Sequence, residues 1–237
     1  MQISLFRYFA ISLLFIASGC SPSQENRIII TGQIEGVLGM IYLQEQKTSG
    51  LVKIDSAIPD EKGMFHWSVL AGETSIYSLL SEPDERLVFI AKAGDSIRIT
   101  GNMNQYPSLL QVAGNSESTL IQSFYAYSAR NIREVDSLQL IIDIHQGDPG
   151  FYELTVMADS LFNQIWERQR EYEKNFIREH AGTFSSLLVV NYHFGVRPVL
   201  SLKTDAEEYL RVDSGLMAAY PGNRHTLFFH QWIKQVK

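Results

Sequence analysis

From Arg27 to about Ala113, apolar and polar positions exchange every few residues. "RIIITGQIEG" and "GMIYLQEQ" flank Gly36 and Gly39, as two strands joined by a tight connection would. "GLVKIDSAIP", "GMFHWSVL", "SIYSLLS", "RLVFIAKAG" and "DSIRITGN" follow, each short, rich in β-branched or aromatic residues, and punctuated by Gly, Pro or Asp. Several strands at this spacing predict an antiparallel β-sandwich or a barrel-like sheet. In "GMFHWSVL", alternation with period two places Phe65, Trp67 and Val69 on one face and His66 and Ser68 on the other. Asp55 and Ser56 end a strand, and Pro59 to Gly63 make a hairpin connection.

Past Gly114 the period lengthens. Ser116 is placed to cap a helix beginning near Glu117, with Ile121, Phe124, Ile132, Val135, Leu138, Ile142 and His145 recurring at spacings of three, four or their sums. In "GDPG", Gly147 ends that helix, Asp148 caps the next and Pro149 suits its first turn. The second helix, from about Gly150 to His180, carries Phe151, Leu154, Leu161, Ile165, Tyr172 and Phe176 along one stripe, and Gly182 stops it. "ERQREYEKNFIRE" reads as its solvated side, where Glu167 with Arg170 and Glu171 with Lys174 can pair. A third helix is predicted across "TFSSLLVVNYHF". Asp205 or Thr204 then caps "AEEYLRVDSGLMAAY", and "HTLFFHQWIKQ" closes the chain. The fold class is therefore α+β, with a β-sandwich over residues 27–114 and an α-helical region over 115–237.

The first residues change the picture from fold to address. Residues 1–19 hold one basic residue, Arg7, no acid, and the apolar core "YFAISLLFIA" bounded by Ser18 and Gly19, the layout of a secretory signal peptide. That core falls short of the roughly 20 residues a spanning helix needs. Ala17-Ser18-Gly19-Cys20 resembles the bacterial lipobox, with Ala17 where the motif prefers Leu. Cys20 is the sole cysteine, and a free thiol in an exported protein is a reactive liability that lipidation removes. The expectation is a lipoprotein anchored to a membrane through acylated Cys20, tethered by residues 20–26, and facing the periplasm rather than the cell surface. The plain alternative is an ordinary leader with an incidental cysteine.

Loss of the leader takes away Arg7 and moves the formal charge from -6 to -7. No Lys/Arg cluster is available to neutralise phosphates, so a nucleic-acid partner is not expected.

Chemistry is harder to find. His66, His145, His180, His193, His225 and His230 form no H-x-x-x-H or H-E-x-x-H set, and no second cysteine completes a zinc site, so no metal is expected. "GTFSSL" is not G-x-S-x-G and sits where Ser and Thr cap a helix. Asp95 and Ser96 beside Gly94 read as a turn entering a strand. Glycine-rich phosphate loops are absent from the sequence, and the carboxylate neighbours Asp60 with Glu61 and Glu207 with Glu208 diverge in direction. No catalytic residue and no cofactor is assigned.

Taken together, "IIITGQIEGVLGMIYLQ", "VKIDSAIPDEKGMFHW", "SIYSLLS" and "KAGDSIRITGN" resemble the N-terminal domain of unknown function of periplasmic lipoproteins whose C-terminal part is a TlpA-like thioredoxin domain. The matching positions are Ile54 to Ser56, Gly63, Phe65 and Gly94 to Ile97. "VAGNSES" at Val112 to Ser118 matches the junction to the helical portion, and "NFIREHAGTFSSL" the segment that closes it. The resemblance implies thiol-disulfide chemistry in the relatives, carried by a C-x-x-C pair. This sequence ends at Lys237, about where such a domain would begin, and its lone cysteine is expected to be lipidated. The expected role is a non-catalytic binding or scaffolding module; the alternative is the non-catalytic part of a TlpA-like oxidoreductase whose catalytic domain was split off or lost, or an accessory to one, with a thioredoxin-like protein as partner.

In "HTLFFHQWIKQ" and the residues after it, Phe228, Trp232 and Val236 share a side, with Phe229 and Ile233 adjacent. Docking onto the preceding helices is expected, and a contact surface for a separate subunit is the alternative. Exposed Tyr42, Trp67 or Tyr77 would suit a further alternative, a carbohydrate- or peptide-binding sandwich, although alternation places Trp67 in the core.

Overall fold

The computed structural model describes residues 26–37, 39–81, 85–103 and 110–236. Cys20, with the leader and most of the tether, lies outside the described residues. β1 (Arg27–Glu35), β4 (Met64–Leu70), β7 (Ser96–Asn102) and β8 (Gln111–Ala113) form one four-stranded sheet in the order β4-β1-β7-β8. β2 (Ile41–Lys47), β3 (Gly50–Ala57), β5 (Ser75–Ser81) and β6 (Glu85–Ala91) form the other, ordered β3-β2-β5-β6. Two open sheets face each other, so the sandwich expectation holds and no barrel closes.

Two expectations about pairing need correction. β1 and β7 run parallel, with Ile30 opposite Ile97, so the sheet is mixed rather than antiparallel throughout. Parallel neighbours need a long crossover, and the excursion through β2 to β6 supplies it, which alternation within single strands cannot reveal. The Pro59 to Gly63 turn is present, with Asp60 Oδ1 accepting from Lys62 N and Met64 N at 2.9 and 2.8 Å. It joins strands of different sheets and is therefore not a hairpin.

The inner faces bury Ile28, Ile30 and Ile34 of β1, Leu43 and Leu79 of the opposite sheet, and Phe65, Trp67 and Val69 of β4 as alternation required. Gly32 lies among them because nothing larger fits: a Cβ there would stand 2.1 Å from the Phe65 ring.

A second core lies on the outer face of the β5/β6 sheet. There Ile76 and Ile90 meet α1 (Ser116–Ile144), α2 (Phe151–His180), α3 (Phe184–Val190), α4 (Ala206–Ala219) and α5 (Arg224–Val236). The start of α1 is stitched to the β6 edge. Ser118 Oγ donates to Ile90 O at 2.6 Å and accepts from Ile90 N at 3.1 Å, Asn115 Nδ2 donates to the same carbonyl at 2.9 Å, and Gln122 Nε2 donates to Val88 O at 2.7 Å. These bonds satisfy backbone groups that an open sheet edge would leave for another chain.

The caps differ from expectation. Asn115, not Ser116, caps α1, its Oδ1 accepting from Ser118 N at 2.8 Å, because Ser116 is already helical. Asp148 is engaged by His145 Nδ1 at 2.9 Å, so Gly150 in a left-handed conformation begins α2 without a side-chain cap. Thr183 caps α3 through Ser186 N, as read from "GTFSSL".

Between α3 and α4 a two-residue ladder pairs β9 (His193–Phe194) with β10 (Arg197–Pro198), and Arg197 lies over the Trp166 ring at 4.3 Å. α5 docks through Thr226, Phe229 and Ile233, with Trp232 half-buried. Phe228 and Val236 remain exposed, so the docked stripe is the one adjacent to that expected. Among the described residues no helix is long and apolar enough to cross a membrane.

Candidate functional site

Three polar clusters deserve a chemical reading. The first interrupts the seam between α1 and α2. The α1 stripe runs Ile121, Phe124, Ser128, Asn131, and Ile132 is turned outward instead of Asn131. The facing α2 stripe runs Ile165, Gln169, Glu173, Phe176, so two polar residues occupy core positions within the charged run read as solvated. The correction has a visible cause: Gln169 and Glu173 continue the spacing of Ile165 by four and eight, and helix geometry overrides their polarity.

Their hydrogen bonds form a line. Asn131 Nδ2 donates to Gln169 Oε1 at 2.8 Å, and Gln169 Nε2 donates to Ser128 Oγ at 2.9 Å and Glu173 Oε1 at 3.0 Å. Arg168 Nη2 extends the line to solvent, donating to Asn131 Oδ1 at 2.8 Å and Glu134 Oε2 at 2.7 Å. Glu173 Oε2 has no partner, and the residue is fully buried. Burial pushes the Glu173 carboxyl up to about 9; the Gln169 bond opposes this and nearby Asp205 adds to it. Glu173 is therefore a neutral acid at pH 7. With no solvent access and no nucleophile bonded to it, this geometry serves to hold α1 against α2.

The second cluster joins α2 to α4. Asp205, 3% exposed, accepts from Arg170 Nη2, from Thr204 Oγ1 at 2.7 Å and from Ser201 N at 3.1 Å, with Lys174 Nζ at 3.2 Å. Burial acts to raise its carboxyl, but these bonds and the two cations outweigh burial and hold it below the usual range. Asp205 starts α4, as expected, yet its side chain caps nothing there.

The third cluster lies at the open end of the sandwich, beside a cleft of about 390 Å³ lined by Glu45, Lys47, Glu73, Tyr77 and Arg224. Ser75 Oγ donates to Glu45 Oε1 at 2.9 Å and lies 3.4 Å from His225 Nε2. These residue types invite a hydrolase reading, but a catalytic triad needs imidazole between hydroxyl and carboxylate. Here the hydroxyl lies between the other two, its proton is directed at Glu45, and Ser75 is 2% exposed. Burial lowers the His225 pKa despite the raising influence of Glu73 and Glu45, so the ring is neutral at pH 7. The cluster pins the start of α5 to β2 and β5. Arg224 reinforces it by donating to Glu73 from Nε at 2.5 Å and from its amide at 3.1 Å.

The sequence-derived candidates distribute differently. Trp67 and Tyr77 are each 3% exposed and Tyr42 is half-buried with Lys53 Nζ 4.5 Å above it, so the three aromatics do not make a ligand platform. The histidines stay apart: His145 meets Asp148, His230 meets Asp213 at 2.9 Å, and His225 meets Ser75. Among the described residues no group of three or more His, Cys, Asp or Glu could hold a metal. Asp95 acts in its turn, accepting from Lys92 N at 3.0 Å and Asn115 Nδ2 at 2.6 Å.

Strands β1 to β8 and the first turns of α1 thus form one unit, sewn together by residues of β6, the Asp95 turn and Asn115. Residues 28–121 match the model of a domain of unknown function, DUF4369. The DUF4369 match covers both four-stranded sheets from Ile28 onward and stops at Ile121. It contains Glu45, Glu73 and Ser75 but neither His225 nor the buried seam at Gln169 and Glu173. No curated protein matches the chain.

Proposed function

We propose that the chain is a lipid-anchored, periplasm-facing lipoprotein that acts by contact, as a binding or scaffolding module without a catalytic site of its own. The observation that carries this reading is "FIASGC", an apolar run closed by the sole cysteine of the sequence. The polar clusters support it, since each spends its hydrogen bonds on holding elements of the fold together. DUF4369, a domain of unknown function, adds no reaction to the residues it covers. The positions that resemble TlpA-associated domains, Ile54 to Ser56 and Gly94 to Ile97, favour a second reading in which the partner is a thioredoxin-like protein.

Intact mass measurement of the protein extracted from native membranes tests the first reading. Cleavage after Gly19 with acyl chains on Cys20 is the expected result, and a retained leader or a free thiol defeats it. A screen of hydrolase and redox substrates is expected to give no turnover. Disulfide exchange accelerated when the protein is added to a purified TlpA-like oxidoreductase is the result that selects the second reading.

A further inference from the structure

Beyond the Asn131 and Ile165 layer, α1 and α2 leave the body of the molecule as a two-helix arm. No residue from 132 to 164 is buried, and even the seam residues Val135, Leu138, Ile142, Leu154 and Phe162 are only half-covered. Helices of this kind reach ordinary core burial when another layer packs on them. The surface left open is apolar: Ile144 is 65% exposed and Met157 55%, with Leu140, Ile141, Val156 and Leu161 beside them. On one side of the arm a groove of about 320 Å³ runs between Ser137 and Leu138 of α1 and Leu161 and Gln164 of α2. Ile141 follows Ser137 by four residues and Met157 precedes Leu161 by four, so the apolar floor continues toward the tip.

Charge selects the occupant. Between residues 134 and 166 the chain carries Glu134, Asp136, Asp143, Asp148, Glu153 and Asp159 and no Lys or Arg. These six carboxylates match the formal net charge of -6 of the full sequence and make up six of the seven negative charges left after loss of Arg7 with the leader, so the arm holds nearly all of the excess. Glu134 is paired with Arg168, whereas no cation lies within ion-pair distance of Asp136, Glu153 or Asp159 among the described residues. A second copy would bring like charges together, and an anionic lipid surface would be repelled for the same reason.

We propose that the α1–α2 arm is the docking surface of a protein partner that presents an amphipathic helix with an apolar stripe and basic flanks. The helix lies along the arm as a third layer, its apolar stripe on Ile141, Met157 and Leu161 and its Lys or Arg residues beside Glu153 and its neighbours. The inference deepens the contact-only reading by naming the surface and the chemistry of the partner.

The test uses the full chain in nanodiscs of neutral lipid, with two labelled synthetic helices of about 20 residues, long enough to span the arm. Both carry the same leucine stripe; one has lysine flanks and the other glutamate flanks. Fluorescence anisotropy is expected to show binding of the lysine peptide alone, weakened about tenfold by high salt and by Ile141→Glu. Glu153→Lys, one turn from Met157 on the groove side of α2, is expected to shift the preference toward the glutamate peptide, while an unchanged circular dichroism melt shows that the fold survives. Equal binding of both peptides, no binding, or indifference to Ile141→Glu overturns the proposal. So does self-association of the protein that Ile141→Glu abolishes, or recruitment of the arm to discs of anionic lipid. Acylation mass and turnover are untouched by these arms, so failure here and failure of the functional reading are separately visible.

Discussion

Glu173→Gln should make the protein more stable at neutral pH, which is the reverse of what removing a buried charged-type residue usually does. The carboxyl titrates near 4.5 in an unfolded chain and is pushed up to about 9 in the fold, chiefly by burial. Between those values the folded state keeps a proton that the unfolded state releases, so folding stability falls as pH rises. At pH 7 the gap of 2.5 units corresponds to about 3 kcal/mol against the folded state. Glutamine has the same shape, keeps an acceptor toward Gln169 Nε2, and has no proton to release. Its amide places two N–H donors where Oε2 has no partner, one more than the protonated carboxyl, which offsets part of the gain. Urea unfolding at a series of pH values measures the difference. The variant should gain roughly 2 to 3 kcal/mol at pH 7, with a melting temperature several degrees higher, and the gain should vanish below about pH 4.5. A difference independent of pH, or a variant weaker than wild type at pH 7, refutes the assignment of Glu173 as a buried neutral acid.

Glu117 receives Phe184 N at 3.0 Å, Ser185 N at 3.0 Å and Ser185 Oγ at 2.8 Å, so it holds the start of α3 from a distance of 67 residues. Glu117→Ala should cost about 3 kcal/mol in urea unfolding, as expected for several charge-assisted bonds lost together, and a loss below about 1 kcal/mol refutes that role. Gly32→Ala places a methyl group 2.1 Å from the Phe65 ring and should destabilise by about 1 to 3 kcal/mol. Combining it with Phe65→Leu should cost less than the two single changes summed, which a double-mutant cycle reads directly. His225 is held neutral by burial, so acid must drive a proton onto it from a folded pKa below 6.5. The unfolded chain binds that proton first, and stability therefore falls as pH drops below about 6.5. His225→Gln should flatten this limb of the stability profile, and an unchanged limb rules the histidine out.

How much of this was legible depended on whether a residue's role is set by its neighbours in sequence. Phe65, Trp67 and Val69 announced their face through alternation, and Thr183 announced its cap through "GTFSSL". The parallel pairing of β1 with β7 did not, because direction is decided by a crossover of five strands. The seam was half legible. Gln169 and Glu173 fall on the stripe of Ile165 and Phe176, but polarity argued for solvent and the spacing was the better guide. Asp205 with Arg170 and Lys174, Ser75 with His225, and Glu117 with Ser185 are long-range meetings that no local pattern encodes.

A shared logic links these clusters to the open arm. In the body, polar side chains are drawn inward and consumed: Ser118 and Gln122 on the β6 edge, Glu117 on α3, Asp205 on α2, Ser75 on Glu45. On the arm the arrangement inverts, with Leu140, Ile144 and Val156 facing water and the seam half-open. Exposure of that kind weakens the arm in isolation, since an amphipathic helix takes most of its stability from packing. Local opening should accordingly begin there, with amide exchange fastest in residues 136–160 and slowest around Ile121, Phe124 and Phe176 in the second core. Addition of the lysine-flanked helix should slow exchange across that same span and leave the sandwich unchanged. Protection that instead spreads through the sandwich, or an arm already exchanging as slowly as the core, is incompatible with a half-built layer waiting for its third helix.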